Sequence, residues 1–235
     1  MLIISIPKSA STSLLDTFGK LHALPTRQLE LPDHENSDSF LCLSGIHQDT
    51  LELKTEDLSI LLQQDRLYKQ HIVPSENNLN LLKDIKKVVL LRNPYDVVLA
   101  YRRGIQKGIH GKKLNFNGSE TEGEWLEKAE KNRLLQEVKF FYSQWKNHQD
   151  GNTLLIEYHQ LISDPKKVIN LIEKFWNLPI TLKNIRLSRK RYSHYTGIKY
   201  NIIQIRQRMM RWILKNGHYE QAKKLHNFLR KKGIG

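Results

Sequence analysis

The residues best suited to chemistry lie close to the amino terminus, in "PKSASTSL" (7 to 14), where Lys8 is followed by Ser9, Ser11, Thr12 and Ser13. One cation and four hydroxyls in six positions make an anion-binding set: a point charge, several short donors, and backbone N–H groups that converge where a helix begins. The nucleotide-triphosphate pattern G-x-x-x-x-G-K-[ST] is missing, because no glycine lies between Met1 and Phe18, and no dinucleotide G-x-G-x-x-G is present either. With the lysine ahead of the hydroxyls, the loop suits a phosphate-like group held without a magnesium-bound triphosphate. A serine-rich turn with a surface lysine is the competing reading, and local chemistry alone leaves both open.

Such a turn needs a strand before it and a helix after it. "LIISI" (2 to 6) is a short β-branched apolar run, and Leu14, Leu15, Phe18 and Leu21 follow at helical spacing. The same junction recurs at "KKVVLL" (86 to 91), a buried-type strand that runs into "RNPYDVVLAYRRGI", where Asn93 can cap, Pro94 suits the first turn and Asp96 favours the positive helix end. Further strands are expected at 40 to 46, 66 to 73 and 152 to 158, and helices at 55 to 64, 74 to 85, about 123 to 147, and from Asp164 and Pro165 onward. Five glycines between 104 and 123 mark a loop, and the tail adds two helices near 201 to 215 and 218 to 231. Strands alternating with helices imply an α/β three-layer sandwich, a mostly parallel sheet with helices on both faces.

The 235 residues favour a single domain, with an α/β core over 1 to 182 and a basic helical extension over 183 to 235. The net charge of +14 is placed unevenly. From Lys183 to Gly235 there are 15 Lys or Arg and one acid, Glu220, whereas residues 1 to 182 carry 23 charges of each sign. A block of that kind attracts a nucleotide, a polyanion or an anionic membrane surface, although a solvated basic face is the plainer reading. Cys42 is the only cysteine, so neither an internal disulfide nor a thiolate zinc cluster can form. No apolar run is long enough to span a bilayer and the chain opens on "MLIISIP", so a cytoplasmic protein is expected.

Taken together, the motifs resemble a family. "PKSASTSL" looks like the 5′-phosphosulfate loop of sulfotransferases that use 3′-phosphoadenosine 5′-phosphosulfate (PAPS), and "VVLLRNPYDVVLAYRR" looks like their 3′-phosphate segment. "YKQHIVP" (68 to 74) is similar to the Lys-x-His segment of the cytosolic members, and "LLIEYHQLISDPKKVINLIEKFW" to their tyrosine, leucine and Asp-Pro stretch. The matches run in family order over roughly residues 2 to 178 and imply a P-loop-like fold.

The resemblance assigns roles. It puts Lys8 on the bridging oxygen of the leaving phosphate, Ser9, Ser11, Thr12 and Ser13 around the 5′-phosphate and sulfate, Arg92 on the 3′-phosphate and Tyr158 at the adenine, where a buried core tyrosine is the competing reading. His71 is the expected general base, since a histidine near neutral pKa can take the acceptor proton, and Lys69, on the same strand face, helps hold the sulfate. Other branches of the family use glutamate as the base. The transfer needs no metal, and its product is the bisphosphate PAP.

Three positions depart from the family. Ala10 and Ser13 stand where it has a glycine and an aromatic in the first loop, and Ala100 stands where it has a serine on the 3′-phosphate. No clean Arg-Lys-Gly clamp is present; "SRKRYSHYTG" (188 to 197) or the terminal "LRKKGIG" would supply that charge. The acceptor is not legible, with a carbohydrate or hydroxylated metabolite favoured and peripheral membrane contact left open. Nucleic acid is not expected as a partner. The rival readings are a nucleotide kinase or other phosphotransferase on the same sheet, and a non-catalytic polyanion binder led by the tail.

Overall fold

The computed structural model describes residues 1–28, 50–55, 57–62, 65–106, 119–148 and 150–188. Among the described residues six strands form one sheet: β1 (Leu2–Ser5), β2 (Thr26–Gln28), β3 (Thr50–Leu51), β4 (Leu67–Ile72), β5 (Lys87–Leu91) and β6 (Thr153–Glu157). The order is β2-β4-β1-β5-β6, with β3 beside the end of β4, and every pairing is parallel. Parallel strands need crossovers, which the helices provide: α1 (Ser11–Leu21), α2 (Asp57–Leu61), α3 (Glu76–Leu82), α4 (Pro94–Gln106), α5 (Glu122–Lys131), α6 (Leu134–Asn147), α7 (Tyr158–Ser163) and α8 (Pro165–Phe175).

Period-two alternation along buried strands sorts the core into two layers. Leu2, Ile4, Val89 and Leu91 point into one cluster with Tyr101, Trp125, Val138 and Trp145. Ile3, Val88, Leu90 and Ile156 point the other way, onto Leu14, Phe18, Ile169 and Ile172. This is the expected three-layer α/β sandwich. At the amino end of β5, Lys87 is fully buried, its ammonium bonded to the Leu82 carbonyl and to Asp150 Oδ2, both at 3.0 Å.

Three sequence expectations are corrected. The single helix expected near 123 to 147 is two helices, broken at Arg133, whose φ of 64° is left-handed. Gly104 and Gly123 are helical, in α4 and α5, so the glycine-rich stretch between the helices is shorter than expected. Tyr158 opens α7 instead of ending β6. The strand expected at 40 to 46 and both tail helices lie outside the described residues. No helix among the described residues is long and apolar enough to cross a membrane.

Candidate active site

Strands β1 and β5 are neighbours in register, Ser5 against Leu90, so the turns that follow them emerge side by side. After β1 the chain turns sharply. Lys8 and Ala10 both take left-handed φ, 68° and 65°, which curls the backbone into a cup before α1. Ser9 Oγ donates to the Ile6 carbonyl at 2.6 Å and the residue is fully buried. That hydroxyl braces the turn.

No side chain caps α1, and the bond from Leu14 N–H to the Ala10 carbonyl, 3.0 Å, is the helix's first. The N–H groups of Ser11, Thr12 and Ser13 therefore face the cup without helical acceptors. Lys8 Nζ lies 5.7 Å from the centre of the Tyr101 ring, and burial pushes its pKa down to about 8. A cation held that far from water gains strongly from an anion placed beside it.

Arg92 joins the two turns. It follows β5, and its Nη1 donates to the Lys8 carbonyl at 2.5 Å while the guanidinium lies 4.0 Å from the centre of the Tyr158 ring. Its Nε is buried and makes no hydrogen bond. Burial also lowers the Arg92 pKa, with Tyr158 and Asp96 opposing. Asn93 accepts from Tyr95 N–H at 3.0 Å, so the expected cap of α4 is formed. Ala100, half-buried on α4, brings no donor.

On the other side of β1, β4 carries Lys69 and His71, both buried. His71 Nδ1 lies 2.6 Å from the Ser5 carbonyl and 3.3 Å from Ser5 Oγ. A carbonyl only accepts, so Nδ1 carries the proton and Nε2 is the basic nitrogen. Burial first, then the charge of Lys69 and more weakly that of Lys8, push His71 down to about 3 against the bond from Ser5. The imidazole is neutral at physiological pH, and its pKa lies well below the near-neutral value expected from the sequence, because burial on β4 beside Lys69 disfavours its charged form.

Lys8, Arg92 and Tyr158 are thus in direct contact or one residue removed, and His71 and Lys69 share the field of Lys8. Two contributors escaped the sequence reading. Tyr101 places an aromatic face toward Lys8, and its signal was the helical spacing from Val97 on the buried side of α4. Ser5 orients His71 through backbone, for which side-chain patterns carry no signal.

The sulfotransferase domain family matches the chain over residues 1–196. The chain belongs to this sulfotransferase family. Among solved structures, mouse sulfotransferase SULT7A1 in complex with PAP is similar in fold, with a TM-score of 0.53 at 14% identity over 98% of this chain and 88% of that one. A sulfotransferase from Alicyclobacillus acidocaldarius matches with a TM-score of 0.45 at 14% identity, covering 91% and 90% of the two chains. No curated protein matches in sequence. In this chain the turns after β1 and β5 stand on adjacent strands.

Proposed function

We propose that this sulfotransferase moves a sulfuryl group from PAPS to a hydroxyl of a carbohydrate or other small hydroxylated acceptor. The observation that carries the reading is Arg92, which bonds the Lys8 carbonyl and keeps a buried, unbonded Nε at the second turn. A donor left unsatisfied in that position favours a ligand that supplies an acceptor. A nucleotide with phosphates at both ends of its ribose fits two cationic turns set side by side.

The donor nucleotide supplies the sulfuryl group and a phosphate as leaving group. The N–H groups and hydroxyls of Ser11, Thr12 and Ser13 hold the 5′ end, and Lys8 neutralises charge that builds on the leaving oxygen. Arg92 binds the 3′-phosphate with Tyr158 stacked on its guanidinium, which holds the planar fork in place. His71 Nε2 takes the proton as the acceptor oxygen attacks sulfur in line, and Lys69 supports the equatorial oxygens. Since Ala100 provides no hydroxyl, Arg92 carries more of the 3′-phosphate contact. Ser188, the first residue of "SRKRYSHYTG", donates its hydroxyl to the Ser13 carbonyl at 3.4 Å, at the start of α1.

The decisive experiment follows PAP formation from PAPS across a panel of hydroxylated acceptors. Lys8→Ala should lower turnover by about 100-fold or more, in line with loss of one preorganised transition-state contact. A protein that binds ATP tightly and ignores PAP would overturn the assignment. Calorimetry should give weaker binding of adenosine 5′-phosphate than of PAP, and Arg92→Ala should erase the difference.

A further inference from the structure

The surface made by α8 and the segment after it has its own chemistry. Among the described residues six large apolar side chains stand exposed, and four of them fall between 162 and 182: Ile162, Leu171, Ile180 and Leu182, the last 85% exposed. Cations are interleaved with them. Lys167, Leu171 and Lys174 form one stripe on the outer side of α8, opposite the buried Val168, Ile169 and Ile172. Lys166 Nζ donates to the Leu182 carbonyl at 3.2 Å, which brings the exposed leucine back alongside the start of α8, and Lys183 and Arg186 follow it.

None of these five cations lies within ion-pair distance of a carboxylate among the described residues. Some cations elsewhere on the described surface are paired, as Lys128 is with Glu120 at 2.8 Å and Lys131 with Glu127 at 2.7 Å, but no other described stretch gathers five unpaired cations among exposed apolar side chains. The one exposed acid from 162 to 188 is Asp164, and its Oδ1 caps α8 by accepting from Lys167 N–H at 2.9 Å. The patch is therefore cationic and apolar together, and the two properties select the partner. A sulfated or carboxylated polysaccharide would satisfy the lysines and leave Leu182 and Leu171 in water. An anionic bilayer accepts both, since lysines reach headgroup phosphates while short apolar side chains enter the acyl boundary.

We infer that the α8 face, through Lys167, Lys174, Leu171 and Leu182, seats the protein on an anionic lipid surface. The inference does not depend on the proposed reaction. Residues 189 to 235 carry much of the chain's excess charge and would also attract anionic lipid, so the test separates the two. The full chain is sedimented with vesicles of phosphatidylcholine alone and of phosphatidylcholine mixed with phosphatidylserine. Binding is expected only to the mixed vesicles, and weaker at high salt. Leu171→Ser with Leu182→Ser, and separately Lys167→Glu with Lys174→Glu, should each weaken it by about tenfold or more. All four positions are exposed or at the helix surface, and unchanged thermal midpoints will report an intact fold. Variants that bind the mixed vesicles like the native chain would assign the attraction to the tail and overturn the inference. So would a native chain that binds a sulfated polysaccharide and neither kind of vesicle.

Discussion

Lys8 is held where its charge is costly, and binding should reveal that. With its pKa pushed down to about 8, part of the Lys8 population is neutral in mildly alkaline solution. An anion in the cup favours the charged form, so PAP binding above pH 8 should take up protons. Calorimetry in buffers of different ionisation enthalpy checks this near pH 9, where the phosphates of PAP are fully ionised: the apparent enthalpy should vary with buffer in the sense of proton uptake. A buffer-independent enthalpy at that pH would separate Lys8 from the anion. His71 works in the opposite pH range. Its folded pKa, about 3, lies below the ordinary 6.5, so the unfolded chain binds the extra proton as pH falls through that window. Stability should decline from pH 6.5 toward 3, and His71→Gln should flatten that limb of a denaturation series. Ala10 adds a smaller effect. At φ 65° its Cβ costs about 1 kcal/mol that glycine avoids, so Ala10→Gly should stabilise the free protein by about that amount in urea unfolding.

Among the elements, α1 must fit closely against β2 to hold the cup in place, and Gly19 sets that approach. A Cβ there would lie 2.2 Å from Thr26 Cγ2 and 3.3 Å from the Leu24 carbonyl. Gly19→Ala should destabilise by about 1–3 kcal/mol, and Thr26→Ser, which removes the clashing methyl, should recover most of the loss. If the double variant is no better than the single one, the constraint lies in the Leu24 backbone. The sequence was informative at the two strand-to-helix junctions: Asn93 caps α4 with Pro94 in its first turn, and at α1, which no side chain caps, the helical spacing of Leu14, Leu15 and Phe18 after a β-branched run marks the change of element. It was uninformative at β2, "TRQ", which has no apolar residue to mark it and exists through backbone pairing with β4. The break between α5 and α6 did leave a trace. Buried positions step from Ala129 to Leu134, five residues instead of three or four, which a continuous helix would carry off its face. At Ser9 side-chain patterns carry less, since a hydroxyl that braces its own turn looks the same in sequence as one that meets a ligand.

Across the whole described unit, one carboxylate ties together regions far apart in sequence. Glu173, fully buried on α8, accepts from His22 Nε2 at 3.0 Å through Oε1 and from the Thr181 hydroxyl at 2.5 Å, while Oε2 accepts the Thr181 N–H at 2.9 Å. The end of α1, the end of α8 and the segment beyond it thereby meet at a single side chain. Further along, Ser188 N–H donates to Thr17 Oγ1 at 2.9 Å, so this segment returns to α1. Removing the carboxylate strands three donors in a dry site, so Glu173→Ala should cost about 3 kcal/mol in urea unfolding. The loss should also be local before it is global, because Thr181 and Ser188 hold a segment with no helix or strand of its own. Limited trypsin digestion, mapped by mass, should therefore show faster cleavage after Lys183 and Arg186 in the variant, under conditions where β1 to β6 stay protected. Unchanged cleavage at both sites would mean that Ser188 and the apolar contacts of Leu178, Ile185 and Leu187 hold the segment without Glu173.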